Sequence, residues 1–342
     1  MASSTKTITG AMPPQANPQR GPPPHHDLPL SMTNPHAWIP YIQLMRLERP
    51  AALIGYYMPS ILGLVYAASL AGPSAVPPTQ LLSHSGFFLV ANIFIRGAAC
   101  TWNDNIDQDY DRQVDRCRGR PIARGAVSTL QGHVFLSLQL AILVALMHPL
   151  PHPCGVYSVA MGALYALYPF CKRFTHYPQA ILGVPLSLSI VISAYSLDVP
   201  EGNPFRDRQT TAATLALGGA EVLWTMIYDT IYAHQDLADD VRAGVKSMAV
   251  KFRHYTKPLC AVLGVLQVGL LALAGIWTQM PLVYFLLGVM GPAVALVVMI
   301  ASVDLSVPSS CARWFKLGFC WVGGCMNVGF LAVYLVRWWF GE

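Results

Sequence analysis

Nine runs of predominantly apolar residues pass through the chain, near 51–70, 86–103, 129–148, 154–171, 179–198, 211–229, 258–278, 281–303 and 316–339. Each is close to the ~20 residues that an α-helix needs to cross a bilayer's hydrocarbon core. The seventh and eighth runs are separated only by the short break Gln279-Met280-Pro281, so eight and ten are the alternative counts. Composition agrees with the runs: 54% of residues are hydrophobic and 11% charged, against about 25% charged in soluble domains. The expected fold is an all-α integral membrane protein of about nine transmembrane helices, occupying 41–342.

Basic residues orient such a bundle, because cytoplasmic loops carry an excess of Lys and Arg. The loops after the second, fourth and sixth runs hold Arg112, Arg116, Arg118, Arg120 and Arg124; Lys172 and Arg173; and Arg242, Lys246, Lys251, Arg253 and Lys257. With nine spans these loops share one face with Arg46, Arg49, Arg313 and Lys316, while the other face has Arg206, Arg208 and Arg337. A cytosolic amino terminus follows. The net charge of +5 belongs to that face and carries no sign of nucleic-acid binding. Residues 1–40 have nine prolines and no apolar run, a composition that builds no packed core and reads as a flexible cytosolic tail. It has neither a signal-peptide core nor the arginine content of a mitochondrial transit peptide. The expected location is the endoplasmic reticulum membrane, with the mitochondrial inner membrane as the alternative. The eight cysteines form no CxxC pair and no metal-spaced cluster, and read as reduced, buried thiols.

Acidic residues are concentrated. Of 17 Asp and Glu, nine fall in two places: Asp104, Asp107, Asp109, Asp111 and Asp115 after the second run, and Asp229, Asp236, Asp239 and Asp240 after the sixth. Asn103, Asp107 and Asp111 have i, i+4, i+8 spacing and share a helix face; Asp236 and Asp240 repeat the i, i+4 interval. Asp229 shares the side of Asp236 if that helix is continuous. Oxygen ligands one turn apart, without His or Cys between them, suit a hard cation. Mg²⁺ is such a cation, and is usually held by one or two carboxylates together with substrate phosphates. The acids therefore predict a phosphorylated ligand. A loop that merely solvates a membrane surface would explain one charged cluster, but not two with the same spacing on one predicted face.

Basic residues stand ready for a diphosphate: Arg116 and Arg120 at i, i+4, Lys172 and Arg173 at the end of the fourth run, and Arg242 and Lys246 after the second acidic cluster. Arg96 lies inside the second run, seven residues before Asn103. An arginine at that depth needs a carboxylate, either from Glu221 in the sixth run or from a ligand.

Four segments resemble the UbiA superfamily of intramembrane aromatic prenyltransferases. RGAACTWNDNIDQDYDRQVDRCRGRPIARGAVS, Arg96–Ser128, is similar to its NDxxDxxxD motif and trailing RxxxRP; YDTIYAHQDLADDVRAGVKS, Tyr228–Ser247, to its second Asp motif ending in GVKS. YPFCKRFTHYPQ, Tyr168–Gln179, resembles the Lys-Arg connector and RLERPAALIG, Arg46–Gly55, the entry to the first helix. The likeness runs from Tyr41 onward and is nearest the 4-hydroxybenzoate polyprenyltransferase branch, with Cys117 in place of that branch's usual Thr. The tail favours relatives in fungal meroterpenoid pathways, which attach farnesyl to orsellinic or 3,5-dimethylorsellinic acids.

The resemblance implies a UbiA-like bundle capped on its cytosolic side by the acidic loops. Asn103, Asp107, Asp111, Asp236 and Asp240 would hold Mg²⁺ on the diphosphate of a prenyl donor. Arg116, Arg120, Lys172, Arg173 and Lys246 would share its charge. Arg46 or Arg96 would meet the carboxylate of a phenolic acid, with Asp107, Asp236, Asp229 and Tyr232 carrying the catalysis. Tyr56, Tyr57, Phe94, Trp102, Tyr165 and Trp224 are candidate cavity walls, though aromatics at helical spacing are more often core. Membrane lipid is an expected partner; an obligate protein partner is not. The rival of another class is a transporter or metal-binding membrane protein, but such a chain would carry ionisable residues through several runs. Here Arg96 and Glu221 stand nearly alone.

Overall fold

The computed structural model describes residues 37–341, and the secondary structure among them is entirely helical. The expected tail lies outside the described residues up to position 36. A short helix, α1 (Ile39–Leu44), leads into α2 (Ala51–Ala71), α3 (Pro78–Asp111), α4 (Thr129–Met147), α5 (His152–Phe174), α6 (Pro178–Ser196) and α7 (Arg208–Ala233). The short helices α8 (Leu237–Ala243) and α9 (Met248–Lys251) precede α10 (Thr256–Trp277). Two interrupted helices close the chain, α11 (Leu282–Ser302) and α12 (Pro308–Phe340), each containing a π-helical segment, Phe285–Met290 and Phe319–Gly323.

Each of the nine apolar runs lies on one of these helices. Among the described residues, eight are long and apolar enough to cross a membrane: α2 to α6 and α10 to α12. The run at 211–229 belongs to α7, which has the length but carries Glu221 and Asp229 within it. Its packing explains how it tolerates them. Ala213, Ala216, Leu217, Ala220, Trp224, Ile227 and Ile231 are all buried, and α7 packs against α6, α10 and α12. A helix covered on so many sides meets neighbouring side chains rather than solvent or lipid. By contrast α4 packs chiefly along α3 and buries only Gly132 and Gln139.

The interior is built by close helix approach. α2 packs on α3, α6 and α12, and at Gly63 a Cβ would stand 2.1 Å from the Ile190 carbonyl oxygen of α6. Only hydrogen fits there. Gly63→Val should therefore wedge α2 away from α6 at a cost of about 1–3 kcal/mol, seen as a lower thermal midpoint in detergent; an unchanged midpoint would show that α2 can shift freely.

Candidate active site

At 1.5 Å per residue the 34 residues of α3 extend about 50 Å, well beyond a hydrocarbon core of about 30 Å. Its carboxyl end thus carries Asn103 to Asp111 away from the apolar middle without a break. Lys172 and Arg173 occupy the last turn of α5, where cations also oppose the helix dipole. The second acidic segment does not continue α7 as one helix: α7 ends at Ala233, a 3-10 turn covers His234–Asp236, and Asp240 lies on α8. Asp229 and Asp236 therefore do not share a single helical face. Gly244, at φ 71°, ends α8; its N–H donates to the Val241 carbonyl and that of Val245 to Asp240, a Schellman turn that needs the left-handed residue. Ser247 then caps α9 by accepting from the Val250 N–H.

These elements bring the two acidic segments together. Asp107, 1% exposed, accepts from Lys172 Nζ at 2.8 Å and Arg173 Nη1 at 3.1 Å, and Lys172 also reaches Asn103 Oδ1 at 3.4 Å. Arg120 donates to both oxygens of Asp111, at 2.9 and 2.8 Å, and to Asp104 at 3.3 Å. From the loop after α3, Arg116 crosses to Asp236, its Nε 2.8 and 3.0 Å from the two carboxylate oxygens, and donates to Tyr232 Oη at 3.2 Å. The backbone N–H of Asp115 donates to Asp239 Oδ2 at 3.2 Å, a second tie between the segments. Asp229 is half-buried within electrostatic reach of Lys172 and Arg116.

Asp240 stands apart. It has no ion pair among the described residues, and burial followed by the like charge of Asp236 pushes its carboxyl up to about 6. Lys246 likewise makes no ion pair among the described residues; its backbone N–H donates to the Lys172 carbonyl instead. Asp109, Asp115 and Asp239 form i, i+3 pairs with Arg112, Arg118 and Arg242, so part of the charge run is indeed solvated surface.

The hydrogen bonds of Arg96 run to backbone oxygens. No ion pair joins it to Glu221 among the described residues. Its Nη1 donates to the carbonyl of Arg46 at 3.0 Å and its Nη2 to that of Arg49 at 2.9 Å, pinning the turn between α1 and α2. Arg46 adopts φ 57° there, a left-handed conformation that costs a non-glycine residue roughly 1–2 kcal/mol. So held, Arg46 donates to both oxygens of Asp104, at 2.6 and 2.8 Å. Asp104, buried between Arg46 and Arg120, is a further site residue: it is the second position of the NDxxDxxxD motif, and the i, i+4, i+8 spacing from Asn103 passes over it. Its i, i+7 spacing to Asp111 places both on one helix face and could have revealed it.

The donor set suits a hard divalent cation. Asp107, Asp111, Asp236, Asp240 and Asn103 offer oxygen alone. Among the described residues no three His, Cys, Asp or Glu side chains group closely enough to hold a metal by themselves; a hard cation held here would need water or ligand oxygens as well.

The UbiA prenyltransferase family matches residues 57–323. The chain belongs to this family. The prenyltransferase ascA of Acremonium egyptiacum is 39% identical over 308 residues, 89% of this chain and 88% of that protein. The mitochondrial 4-hydroxybenzoate polyprenyltransferase of Saccharomyces cerevisiae is 34% identical, over 82% of this chain and 73% of its own length. The fold is shared with two archaeal UbiA homologues. The apo structure from Aeropyrum pernix covers 83% of this chain and 98% of its own, with a TM-score of 0.66 and 20% identity. The Archaeoglobus fulgidus homologue bound to GPP and Mg²⁺ covers 86% and 99%, with a TM-score of 0.60 and 18% identity. This UbiA protein is accordingly an integral membrane prenyltransferase.

Arg96→Lys keeps a charge but cannot bridge two carbonyls. It should destabilise the UbiA bundle by about 1–3 kcal/mol and speed tryptic cleavage after Arg46 in detergent micelles. Cleavage at the wild-type rate would show that these bonds do not hold the turn.

Proposed function

We propose that the chain transfers a farnesyl group from farnesyl diphosphate to a ring carbon of a phenolic acid of the orsellinic or 3,5-dimethylorsellinic type, with Mg²⁺ as cofactor, in a meroterpenoid pathway. The observation that carries this reading is the convergence of both acidic segments with Lys172, Arg173, Arg120 and Arg116 at one end of the bundle. Support comes from the Acremonium relative and from the archaeal homologue bound to GPP and Mg²⁺. The charged end faces the cytosol in the endoplasmic reticulum membrane.

Asn103, Asp107, Asp111, Asp236 and Asp240 would hold Mg²⁺, which would offset the negative charge of the donor diphosphate. Lys172, Arg173, Arg120 and Arg116, paired here with Asp107, Asp111 and Asp236, would offer N–H groups to the remaining phosphate oxygens. As the allylic C–O bond breaks, its electron pair leaves on the diphosphate, where Lys172, Arg173, Arg116 and Arg120 stabilise the developing charge. A π pair of the phenol ring forms the new C–C bond, and loss of the ring proton restores aromaticity. The apolar helix walls keep water from the allylic cation. Arg46 is already matched to Asp104, whereas Arg96 has no carboxylate partner among the described residues, which favours Arg96 for the acceptor carboxylate. Tyr232, receiving an N–H from Arg116, keeps its own O–H to orient the phenol. Asp229 stands within the same field to accept a proton.

Membranes containing the protein, given farnesyl diphosphate, Mg²⁺ and a panel of 3,5-dimethylorsellinic, orsellinic and 4-hydroxybenzoic acids, should yield a magnesium-dependent farnesylated adduct by mass. An adduct on 4-hydroxybenzoate alone would favour the ubiquinone-type reaction named for the yeast relative. Asp107→Ala and Asp236→Ala should each lower turnover about 10²-fold or more while leaving the protein inserted. Wild-type turnover by either refutes its role.

A further inference from the structure

Asp229 keeps part of its surface free although protein surrounds it, and so do Tyr56 of α2 and Tyr168 of α5. These three border a space inside the bundle. Tyr56 is within electrostatic reach of Arg96 and Asp229, and Tyr168 of Lys172 and Asp107, which ties the space to the charged site above it. Helix geometry gives the depth of its far end. Lys172 and Asn103 meet at 3.4 Å; Tyr165 lies seven residues before the first and Arg96 seven before the second, each about 10 Å deeper. Glu221 lies eight residues before Asp229 on α7, about 12 Å deeper. α3, α5 and α7 all run toward the charged end, so they set Arg96, Tyr165 and Glu221 at nearly one level.

Two groups at this level are not explained by packing. Glu221 is 4% exposed and has no ion pair among the described residues. Thr225, one turn on, stands beside it, but one hydroxyl does not satisfy the two oxygens of a carboxyl. Tyr165 is 9% exposed, stacked on Tyr56 at 5.8 Å and within electrostatic reach of Glu221. Its hydroxyl has no hydrogen-bond partner among the described residues. A buried hydroxyl is rarely left unpartnered unless something else reaches it, and an acid on a membrane helix is costly where an apolar side chain would pack as well. A hydroxyl of a ligand, both donor and acceptor, would satisfy the two together.

We propose that Glu221, with Tyr165 beside it, binds a second ring hydroxyl of the acceptor, so that the chain selects an aromatic acid with two hydroxyls over one with a single hydroxyl. The inference rests on the prenyl-transfer reading above and deepens it. With the carboxylate on Arg96 and one hydroxyl near Tyr232, a monohydroxy acid has nothing to offer Glu221 and leaves it desolvated and unmatched, the condition under which a polar site rejects an analogue most strongly.

The test measures kcat/KM in membranes, with farnesyl diphosphate and Mg²⁺, for orsellinic acid and for the two analogues that each lack one of its hydroxyls, 2-hydroxy-6-methylbenzoic and 4-hydroxy-2-methylbenzoic acids. Wild type should prefer orsellinic acid to at least one analogue by about a hundredfold. In Glu221→Leu that preference should fall about tenfold or more; Glu221→Gln and Tyr165→Phe should lower it by less. Each preference is a ratio within one variant, so a smaller folded fraction cancels and a purely structural role would leave it unmoved. Preferences unchanged in all three variants overturn the proposal, as does complete inactivity of all three with native thermal midpoints. A wild type that favours both monohydroxy acids overturns it too, while the prenyl-transfer reading stands. A wild type that farnesylates none of the three acids overturns the farnesyl-transfer reading, and this inference with it.

Discussion

A carboxylate at the edge of a hydrocarbon core is costly unless a cation stands against it, and the charged end of this bundle is organised around that constraint. Asp107 is met by two bases from α5, Asp111 and Asp104 by Arg120, and Asp236 by Arg116 from the opposite acidic segment. None of these pairs joins neighbours on one helix face. They tie α5 to α3, and the loop after α3 to the segment after α7, so the site and the closure of that end of the bundle are the same set of interactions. Removing one member leaves its partner buried and uncompensated, which is why their substitutions should act beyond the residue changed.

The same network reconciles two demands on these side chains. A carboxylate has lone pairs enough for both a guanidinium and a cation, and a guanidinium that holds a carboxylate can hold a phosphate oxygen with the same fork. On the proposed function, the same groups would serve an anion and a cation that arrive together. Asp240, desolvated and beside Asp236 without an ion pair of its own among the described residues, is where the pairing of acid with base is least complete.

Much of this could be read from the sequence, for identifiable reasons. Length of an apolar run maps directly onto a helix, so all nine runs fell on helices, and the paired Asp motifs with the Lys-Arg pair marked the family before any geometry was known. What sequence could not supply were contacts decided by chain turns far apart. Arg96 reaches the carbonyls of Arg46 and Arg49 only because the α1–α2 turn folds over it; side-chain reasoning looks for a carboxylate and does not consider backbone oxygens as the partner of a buried arginine. Asp104 lies inside the motif, but the i, i+4, i+8 spacing from Asn103 runs past it to Asp107 and Asp111. The break of α7 at Ala233 was hidden for a related reason: an i, i+7 interval reads the same whether or not the helix between is continuous. Tyr165 comes within reach of Glu221 only because α5 and α7 both pack on α6, which no single helix encodes.

The uninterrupted α3 has one more consequence. It runs from the apolar middle of the bundle to its charged end, so an amphiphile bound along it would not have to change phase at either half. A molecule with an ionic head and an oily tail normally meets a large partition barrier when a protein lifts it out of the bilayer or draws it in from water. For the donor proposed above, the head would stay at the charged end of α3 while the tail stayed beside its apolar middle, and capture would be a sideways diffusion within the plane of the bilayer.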